Sequence, residues 1–343
     1  MQPMTDTVLR PSASDVQHAR PEAAEAFGFA LFTVWILTGL VIDGWSHNTD
    51  KPETFFTPWH GLLYSGFLAS ALWASLHGAR LRRTGREPQM ADRWTRWGVI
   101  TFGVGMVGDF AWHQVLGIEV DIDALLSPTH LLLMTGGLLL ATTPLRVAGA
   151  DRSMREGRPS SATVVPILVS AAGTSVLAGF FTMYLSAFRG GVATYVTAAV
   201  GRSGVAELRV ITGIATVLVT TLVLLIPLIV AARTVTTPPG ALTATVAVAA
   251  IALSALDGFE RPALVLAAVA GGAAADAAVA LGRPGLIGVA VPLLMWPLWF
   301  AALQLTGPMV WNAELWSGTC FLAVVLGGGL AALSNGAPAR DAS

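Results

Sequence analysis

The sequence predicts an all-α, polytopic integral membrane protein with about ten transmembrane helices. Three observations lead to this prediction. The 343 residues are 54% apolar and only 12% charged, whereas a soluble domain carries roughly 25% charged residues. The mean hydropathy is +0.66. Ten stretches also approach the roughly 20 apolar residues that a membrane-crossing helix needs: 23–47, 57–83, 93–116, 127–148, 161–187, 205–232, 240–257, 262–281, 284–305 and 314–334.

The segments outside these stretches are short and polar. Residues 1–22 contain three prolines and lack the apolar core of a signal peptide, so they are expected to form a disordered cytoplasmic tail. Residues 149–160 are expected to form a cytoplasmic loop, and residues 335–343 a second disordered tail. The remaining chain divides into a first part, 23–148, with four helices, and a second bundle, 161–334, with about six.

The distribution of arginine predicts the orientation. Short cytoplasmic loops carry an excess of Lys and Arg. The loops after the second and fourth stretches are rich in arginine, whereas the first and third loops are acidic. Both termini are therefore expected in the cytoplasm, and the chain in the cell (inner) membrane. The arginines are Arg80, Arg82, Arg83, Arg86, Arg93 and Arg96, then Arg146, Arg152, Arg155 and Arg158; the acidic residues are Asp50, Glu53, Glu119, Asp121 and Asp123.

One pattern of Asp and His occurs twice in the first part of the chain. Each copy places an Asp and a His four residues apart and then adds a His within a Ser/Thr-Pro-x-His tetrapeptide. Four of the six histidines belong to it. The first copy is Asp43-Gly44-Trp45-Ser46-His47 with Thr57-Pro58-Trp59-His60, and the second is Asp109-Phe110-Ala111-Trp112-His113 with Ser127-Pro128-Thr129-His130.

The spacing predicts that each copy forms a three-ligand metal site. Residues four apart lie on one helix face, which pairs each Asp with the His that follows it. Thr57 and Ser127 are typical N-cap residues, and proline suits the first helical position. His60 and His130 would then lie in the first turn of the next helix, facing the end of the preceding one. Both sites are expected near the extracytoplasmic interface.

Two imidazoles and one carboxylate with open positions suit copper, zinc or non-haem iron(II). Open positions favour chemistry or ion transfer over a purely structural site. The alternative is that these are ordinary polar residues at helix ends. Interfacial anchoring does not require one register repeated twice, however, and acidic groups at membrane depth are costly and usually functional. The metal ligands predicted are Asp43, His47, His60, Asp109, His113 and His130.

The first copy resembles the C subunit of the particulate methane and ammonia monooxygenases. The shared features are an Asp-Gly-x-x-His segment and, thirteen residues after its His, the His of a Phe-Thr-Pro-x-His segment. The resemblance covers about residues 25–145. In that family the Asp and both His form a membrane-embedded copper site, so it implies copper at Asp43, His47 and His60. A second family motif, with Asn, His and His, matches Asp109, His113 and His130, except that Asp109 replaces the Asn and the gap between the histidines is longer.

The resemblance implies a copper-dependent monooxygenase with Asp43, His47 and His60 as catalytic ligands. One or two copper ions would serve dioxygen-dependent oxidation of a small or lipophilic substrate arriving through the bilayer. An external electron donor, a quinol or a partner protein, is expected because no flavin or haem motif is present. Other monooxygenase-type subunits or further copies of this chain are candidate partners, and no basic arm or motif suggests nucleic acid.

Two other readings stay open at this point. The same ligands could serve a copper transporter or copper-insertion factor without catalysis, although a transporter should continue its polar groups across the membrane, and beyond Asp276 few are present. Iron or zinc could replace copper, but the many-histidine clusters of membrane di-iron hydroxylases are absent. Asp276 itself could line a cavity, relay protons or hydrogen-bond between helices. Cys320 is the only cysteine, which excludes an intrachain disulfide.

Overall fold

The computed structural model describes residues 13–49, 56–85, 90–117, 121–150, 160–189, 204–307 and 309–336. These residues form an α-helical membrane protein. Their twelve α-helices, numbered here in chain order, are α1 (Ala13–His47), α2 (Pro58–Arg83), α3 (Met90–Leu116), α4 (Asp121–Leu126), α5 (Pro128–Ala141), α6 (Thr143–Ala150), α7 (Ser161–Phe181), α8 (Gly204–Thr234), α9 (Ala241–Ala255), α10 (Ala263–Ala280), α11 (Ile287–Thr306) and α12 (Ala313–Gly336). Short 3₁₀ turns at Met183–Leu185 and Pro284–Leu286 complete the helical elements of this part of the chain.

The number of helices that could span a membrane is smaller than expected. Six described helices are long and apolar enough, and a seventh span results if α5 and α6, bent by 41°, are counted as one. The expectation of ten is not confirmed. Helices α2 and α3 have 26 and 27 residues, but Trp, His and Arg side chains lower their hydropathy. Helix α9 has only 15 residues, about 22 Å at 1.5 Å per residue.

The expected segment boundaries are changed mainly at the N-terminus. Helix α1 begins at Ala13, so residues 13–22, expected to be disordered, belong to a helix. At the other end, α12 continues to Gly336. The rest of both predicted tails, residues 1–12 and 337–343, lies outside the described residues, as does 151–159 of the predicted loop.

Two antiparallel helix pairs form the first part of the molecule: α1 with α2, and α3 with α5. Glycines bring the partners together. A Cβ at Gly39 would lie 2.5 Å from the Leu63 backbone nitrogen, and one at Gly105 would lie 2.9 Å from that of Leu133. Each glycine lies four residues before its triad Asp, and each leucine three residues after the second triad His. The duplication therefore includes the packing of the hairpins.

The second part of the chain forms a bundle that packs against α1. Helices α10 and α11, α9 and α10, and α11 and α12 are in extensive contact, and α7 joins this bundle to α1. Trp296 and Trp299 are fully buried in its core, where their indole nitrogens donate to Thr221 Oγ1 and the Ala187 carbonyl, both at 2.9 Å.

The position of Asp276 decides among its three possible roles. Its carboxylate, on α10, accepts hydrogen bonds from the Leu242 and Thr243 backbone nitrogens at 3.2 and 2.9 Å, and from Thr243 Oγ1 at 2.5 Å. These two amides belong to the first turn of α9, where backbone donors lack intrahelical partners and the helix dipole favours an anion. Asp276 is thus a hydrogen-bonding cap between two helices, which explains a carboxylate at this depth.

Candidate metal centre

The first triad lies where the end of α1 meets the start of α2. His60 Nε2 is 3.1 Å and His47 Nε2 is 3.5 Å from Asp43 Oδ1. Asp43 is buried, with 9% of its surface exposed. Its Oδ1 atom makes no conventional hydrogen bond among the described residues and faces the two imidazole nitrogens. A buried carboxylate oxygen in this position is what a cation between the three groups would satisfy.

The second triad repeats this arrangement between the end of α3 and the start of α5. His113 Nε2 lies 3.5 Å from Asp109 Oδ2, and His130 Nε2 lies 3.5 Å from Asp109 Oδ1. Asp109 is the more deeply buried of the two aspartates, with 2% of its surface exposed. The structure therefore brings together all six residues predicted as ligands, in the two groups of three that the sequence spacing indicated.

The distances within both triads fit a shared metal ion. In each group the three ligand atoms lie within 4.8 Å of one another. Nitrogen and oxygen ligands sit about 2.1 Å from a first-row transition metal, so at tetrahedral angles they are about 3.4 Å apart. The Asp–His separations of 3.1 to 3.5 Å are close to that value. Either group could hold a metal ion; the geometry does not select which metal.

Each histidine of the second triad is oriented by a hydrogen bond at Nδ1, the ring nitrogen that does not face Asp109. His130 Nδ1 lies 2.7 Å from Ser127 Oγ, and His113 Nδ1 lies 3.1 Å from the Gly117 carbonyl. The carbonyl can only accept, so Nδ1 of His113 carries a proton, which leaves Nε2 of the neutral ring free to bind a metal ion. Metal-bound histidines usually donate their second N–H in this way, which fixes the tautomer and ring orientation.

Two further side chains hold the Asp109 carboxylate. Thr129 Oγ1 donates to Oδ1 at 3.1 Å, and the Tyr64 hydroxyl donates to Oδ2 at 3.4 Å. Thr129 belongs to the same Ser-Pro-Thr-His tetrapeptide as His130, whereas Tyr64 comes from α2 of the other hairpin. Partners of this kind orient a carboxylate ligand and increase metal affinity.

The predicted helix starts are confirmed. Thr57 and Ser127 are the N-caps of α2 and α5, and each side chain accepts from the backbone nitrogen of the histidine three residues later at 3.3 Å. Pro58 and Pro128 are the first residues of those helices. The Ser/Thr-Pro-x-His tetrapeptide therefore fixes each histidine in the first helical turn, opposite the end of the preceding helix.

The longer gap in the second copy contains a short helix. His113 and His130 are 17 residues apart, compared with 13 for His47 and His60. The short helix α4 occupies Asp121–Leu126 in this connection, and Ser127 N donates to the Asp123 carbonyl at 3.1 Å. The additional residues of the second copy lie before Ser127, the N-cap of α5, so they do not change the triad geometry.

The second bundle supports the first triad. A Cβ at Gly44, next to Asp43, would lie 2.5 Å from Phe180 Cε2 on α7 and 3.0 Å from Leu256 Cδ2. Asn48, next to His47, donates from Nδ2 to the Leu256 carbonyl at 2.8 Å. The glycine of the Asp-Gly-x-x-His segment is therefore required by close packing, and residues of the second bundle fix the end of α1 that carries Asp43 and His47.

His77, at the end of α2 away from the triads, lies between two carboxylates. Its Nδ1 lies 3.0 Å from Glu25 Oε2 on α1, and its Nε2 lies 2.9 Å from Asp92 Oδ1 on α3. Arg80 Nη1 also lies 3.3 Å from Glu25 Oε1. A neutral imidazole has one N–H, so donating to both carboxylates requires the doubly protonated ring. This cluster joins three helices at the end away from the triads.

Several residues of the site could not be recognised from the Asp/His pattern alone. Tyr64, Thr129 and the close-packing glycines are examples. The glycines can be recognised from the sequence, because aligning the two copies of the pattern places Gly39 with Gly105 and Gly66 with Gly136. Tyr64 cannot, because its contact with Asp109 joins two residues that lie on different helices and are 45 positions apart in the chain.

Comparisons with known proteins found no matching family model, curated protein or solved structure.

Proposed function

We propose that the protein binds a transition-metal ion, copper in the first instance, at each triad. We further propose that it carries out dioxygen-dependent oxidation of a small or lipophilic substrate. The observation that supports this most is the repeated convergence of one carboxylate and two imidazole nitrogens at 3.1 to 3.5 Å. Copper is preferred over iron or zinc because the first motif resembles that of the particulate monooxygenase C subunit.

The orientation proposed places both triads near the extracytoplasmic face, with both termini in the cytoplasm. All six ligands lie at one end of the hairpins, and the arginine cluster Arg80, Arg82 and Arg83 ends α2 at the other. Ten spans remain the topology that we propose, with α2 and α3, which are long enough at 26 and 27 residues, and the shorter apolar helix α9 also crossing. In this topology a lipophilic substrate would reach the triads laterally, from within the bilayer.

The chain's own residues would hold and orient the metal while the metal supplies the redox chemistry with dioxygen. Asp43, His47 and His60 would supply three ligands and leave coordination positions open. The side chain of His47 is 33% exposed, which gives the first triad a route to the outside. Electrons would come from an external quinol or a partner protein.

Metal analysis of the purified protein in lipid nanodiscs tests metal binding. We expect about two copper ions per chain in the parent protein, about one in His60→Ala and in His130→Ala, and none in the double variant. His18→Ala, which changes a histidine outside both triads, is the control and should keep both ions. Protein that binds no copper, or copper that persists in the double variant, would overturn the proposal.

Oxygen consumption distinguishes an oxidase from a carrier. The copper-loaded protein is supplied with a quinol reductant, and dioxygen uptake is followed with and without added lipophilic substrate. Uptake that disappears in His60→Ala supports oxidation chemistry. Stoichiometric copper binding without turnover, together with release of copper to a chelating acceptor, would identify a copper transporter or insertion factor instead.

A further inference from the structure

Tyr64 contacts one ligand of each triad. Its hydroxyl donates to Asp109 Oδ2 of the second triad at 3.4 Å. Its ring stacks against His60 of the first triad, with the ring centroids 6.0 Å apart and the planes inclined by 28°. Tyr64 lies four residues after His60 on α2, and residues at this spacing are neighbours on one helix face. One side chain therefore bridges the two candidate metal sites.

This bridge interrupts the internal repeat. When the two copies are aligned on their triads, Leu63 corresponds to Leu133 and Gly66 to Gly136, but Tyr64 corresponds to Met134. A thioether has no hydrogen to donate, so Met134 cannot make the equivalent bond to a carboxylate. Packing alone would be served by an apolar residue, as in the second copy. The hydroxyl of Tyr64 is thus the feature that the duplication does not account for.

We infer that Tyr64 couples the two triads, so that a metal ion bound at the second increases the metal affinity of the first. This inference rests on the proposed metal binding. An ion held by Asp109, His113 and His130 would fix the Asp109 carboxylate, which in turn fixes the Tyr64 hydroxyl. The Tyr64 ring then restricts His60 to the orientation in which Nε2 faces Asp43. A metal ion that then binds at the first triad has less disorder of His60 to remove, so that binding at the two triads is positively cooperative.

The reciprocity of binding equilibria gives the coupling a measurable form. The factor by which one ion changes the affinity for the other is the same in both directions, and typical couplings are about 5- to 150-fold. Repulsion between the two bound cations acts in the opposite sense, but it does not depend on the Tyr64 hydroxyl. The part of the coupling that Tyr64→Phe removes is therefore the part that this inference concerns.

The test compares copper affinity at the first triad in four proteins in lipid nanodiscs. These are the parent, His130→Ala, Tyr64→Phe, and Tyr64→Phe with His130→Ala. Cu²⁺ is titrated by calorimetry, and electron paramagnetic resonance identifies the triad that is occupied. We expect His130→Ala to weaken binding at the first triad by about fivefold or more in the parent, but by less than about twofold in the Tyr64→Phe background.

Two matched controls accompany the test. Tyr184→Phe removes a hydroxyl from a tyrosine packed against the main hydrophobic core and should leave the coupling unchanged. Met134→Leu alters the repeat counterpart of Tyr64 and should do the same. Should Tyr64→Phe fail to fold, Tyr64→Met installs the residue that the second copy already accommodates and should also remove the coupling.

The outcomes separate this inference from the proposed function. If no variant or parent protein binds copper, the proposed function fails and the coupling fails with it. If both triads bind copper but the effect of His130→Ala is the same with and without the Tyr64 hydroxyl, metal binding stands and the bridging role of Tyr64 is refuted. A twofold or smaller effect in the parent refutes it equally.

Discussion

At the scale of single residues, hydrogen bonds support the ligands of the second triad at least as well as those of the first. The sequence favoured the first triad, Asp43, His47 and His60, as the site of chemistry. In the structure Asp109 is more buried than Asp43, and the Nδ1 atoms of His113 and His130 are both held by hydrogen bonds. Asp109 gives the second triad a carboxylate equivalent to Asp43, because each brings a carboxylate oxygen to two imidazoles.

Thr129→Val is predicted to weaken metal binding at the second triad. Valine preserves the shape but removes the hydroxyl that donates to Asp109 Oδ1, and the loss of such a supporting bond typically costs 10- to 100-fold in metal affinity. Metal titration in nanodiscs measures the effect. Thr135→Val on the same helix removes only a bond to the Leu131 carbonyl and should not change affinity. Equal affinities in both variants would show that Thr129 does not support the site.

At the scale of elements, close helix approach determines whether ligands from two helices can meet. The α3–α5 pair illustrates this, since a Cβ at Gly136 would overlap the backbone of Phe102. The register that this contact imposes places the end of α3 opposite the start of α5. Asp109 on one helix and His130 on the other are therefore in contact because of the Phe102–Gly136 approach, seven residues before Asp109 and six residues after His130.

Gly136→Ala is predicted to separate α3 from α5 and to disturb the second triad. Forcing extra volume into a close-packed contact costs about 1–3 kcal/mol, so the thermal unfolding temperature should fall and the second triad should lose affinity. Gly103→Ala, where a Cβ would lie 3.5 Å from Phe67 Cζ, is the matched control on α3 and should behave like the parent. An unchanged second site in Gly136→Ala would contradict the role given to this contact.

Asp276→Ala is predicted to destabilise the second bundle without changing metal stoichiometry. The variant removes three hydrogen bonds and leaves the Leu242 and Thr243 amides without their carboxylate partner. Losing hydrogen bonds to a charged group costs about 1.5–3 kcal/mol, which lowers the unfolding temperature by several degrees. Glu260→Ala, an exposed carboxylate, serves as the control. A loss of bound copper in Asp276→Ala would instead support a role for Asp276 in an ion path.

At the scale of the whole molecule, the two halves have different structural roles. The hairpins carry all six ligands, and the second bundle packs against the end of α1 through Phe180, Leu256 and the Asn48 hydrogen bond. The polar cluster of His77, Glu25 and Asp92 connects α1, α2 and α3 at the opposite end. Helix α1, which carries Asp43 and His47, is therefore fixed at both ends, as a preorganised ligand set requires.

Labelling of introduced cysteines is predicted to place the triads on the extracytoplasmic side. Cys320→Ala provides a background without cysteine. Thr49→Cys, at an exposed position beside the first triad, should react with a membrane-impermeant maleimide in intact cells. Thr84→Cys, exposed at the other end of α2, should react only after the membrane is opened. The reverse pattern would invert the proposed topology.

The sequence alone determined the helical membrane class, the six candidate ligands and the helix starts at Pro58 and Pro128, because hydropathy, i to i+4 spacing and N-capping are local properties. It predicted ten membrane spans, whereas six described helices, or seven with α5 and α6 as one span, meet the length and hydropathy requirements, because polar residues lower the hydropathy of α2 and α3 and α9 is short. The tertiary structure decided the rest. Contacts of Tyr64 with Asp109, His77 with Glu25 and Asp92, and Asp276 with α9 each join residues on different helices, and only the packing of those helices brings them together.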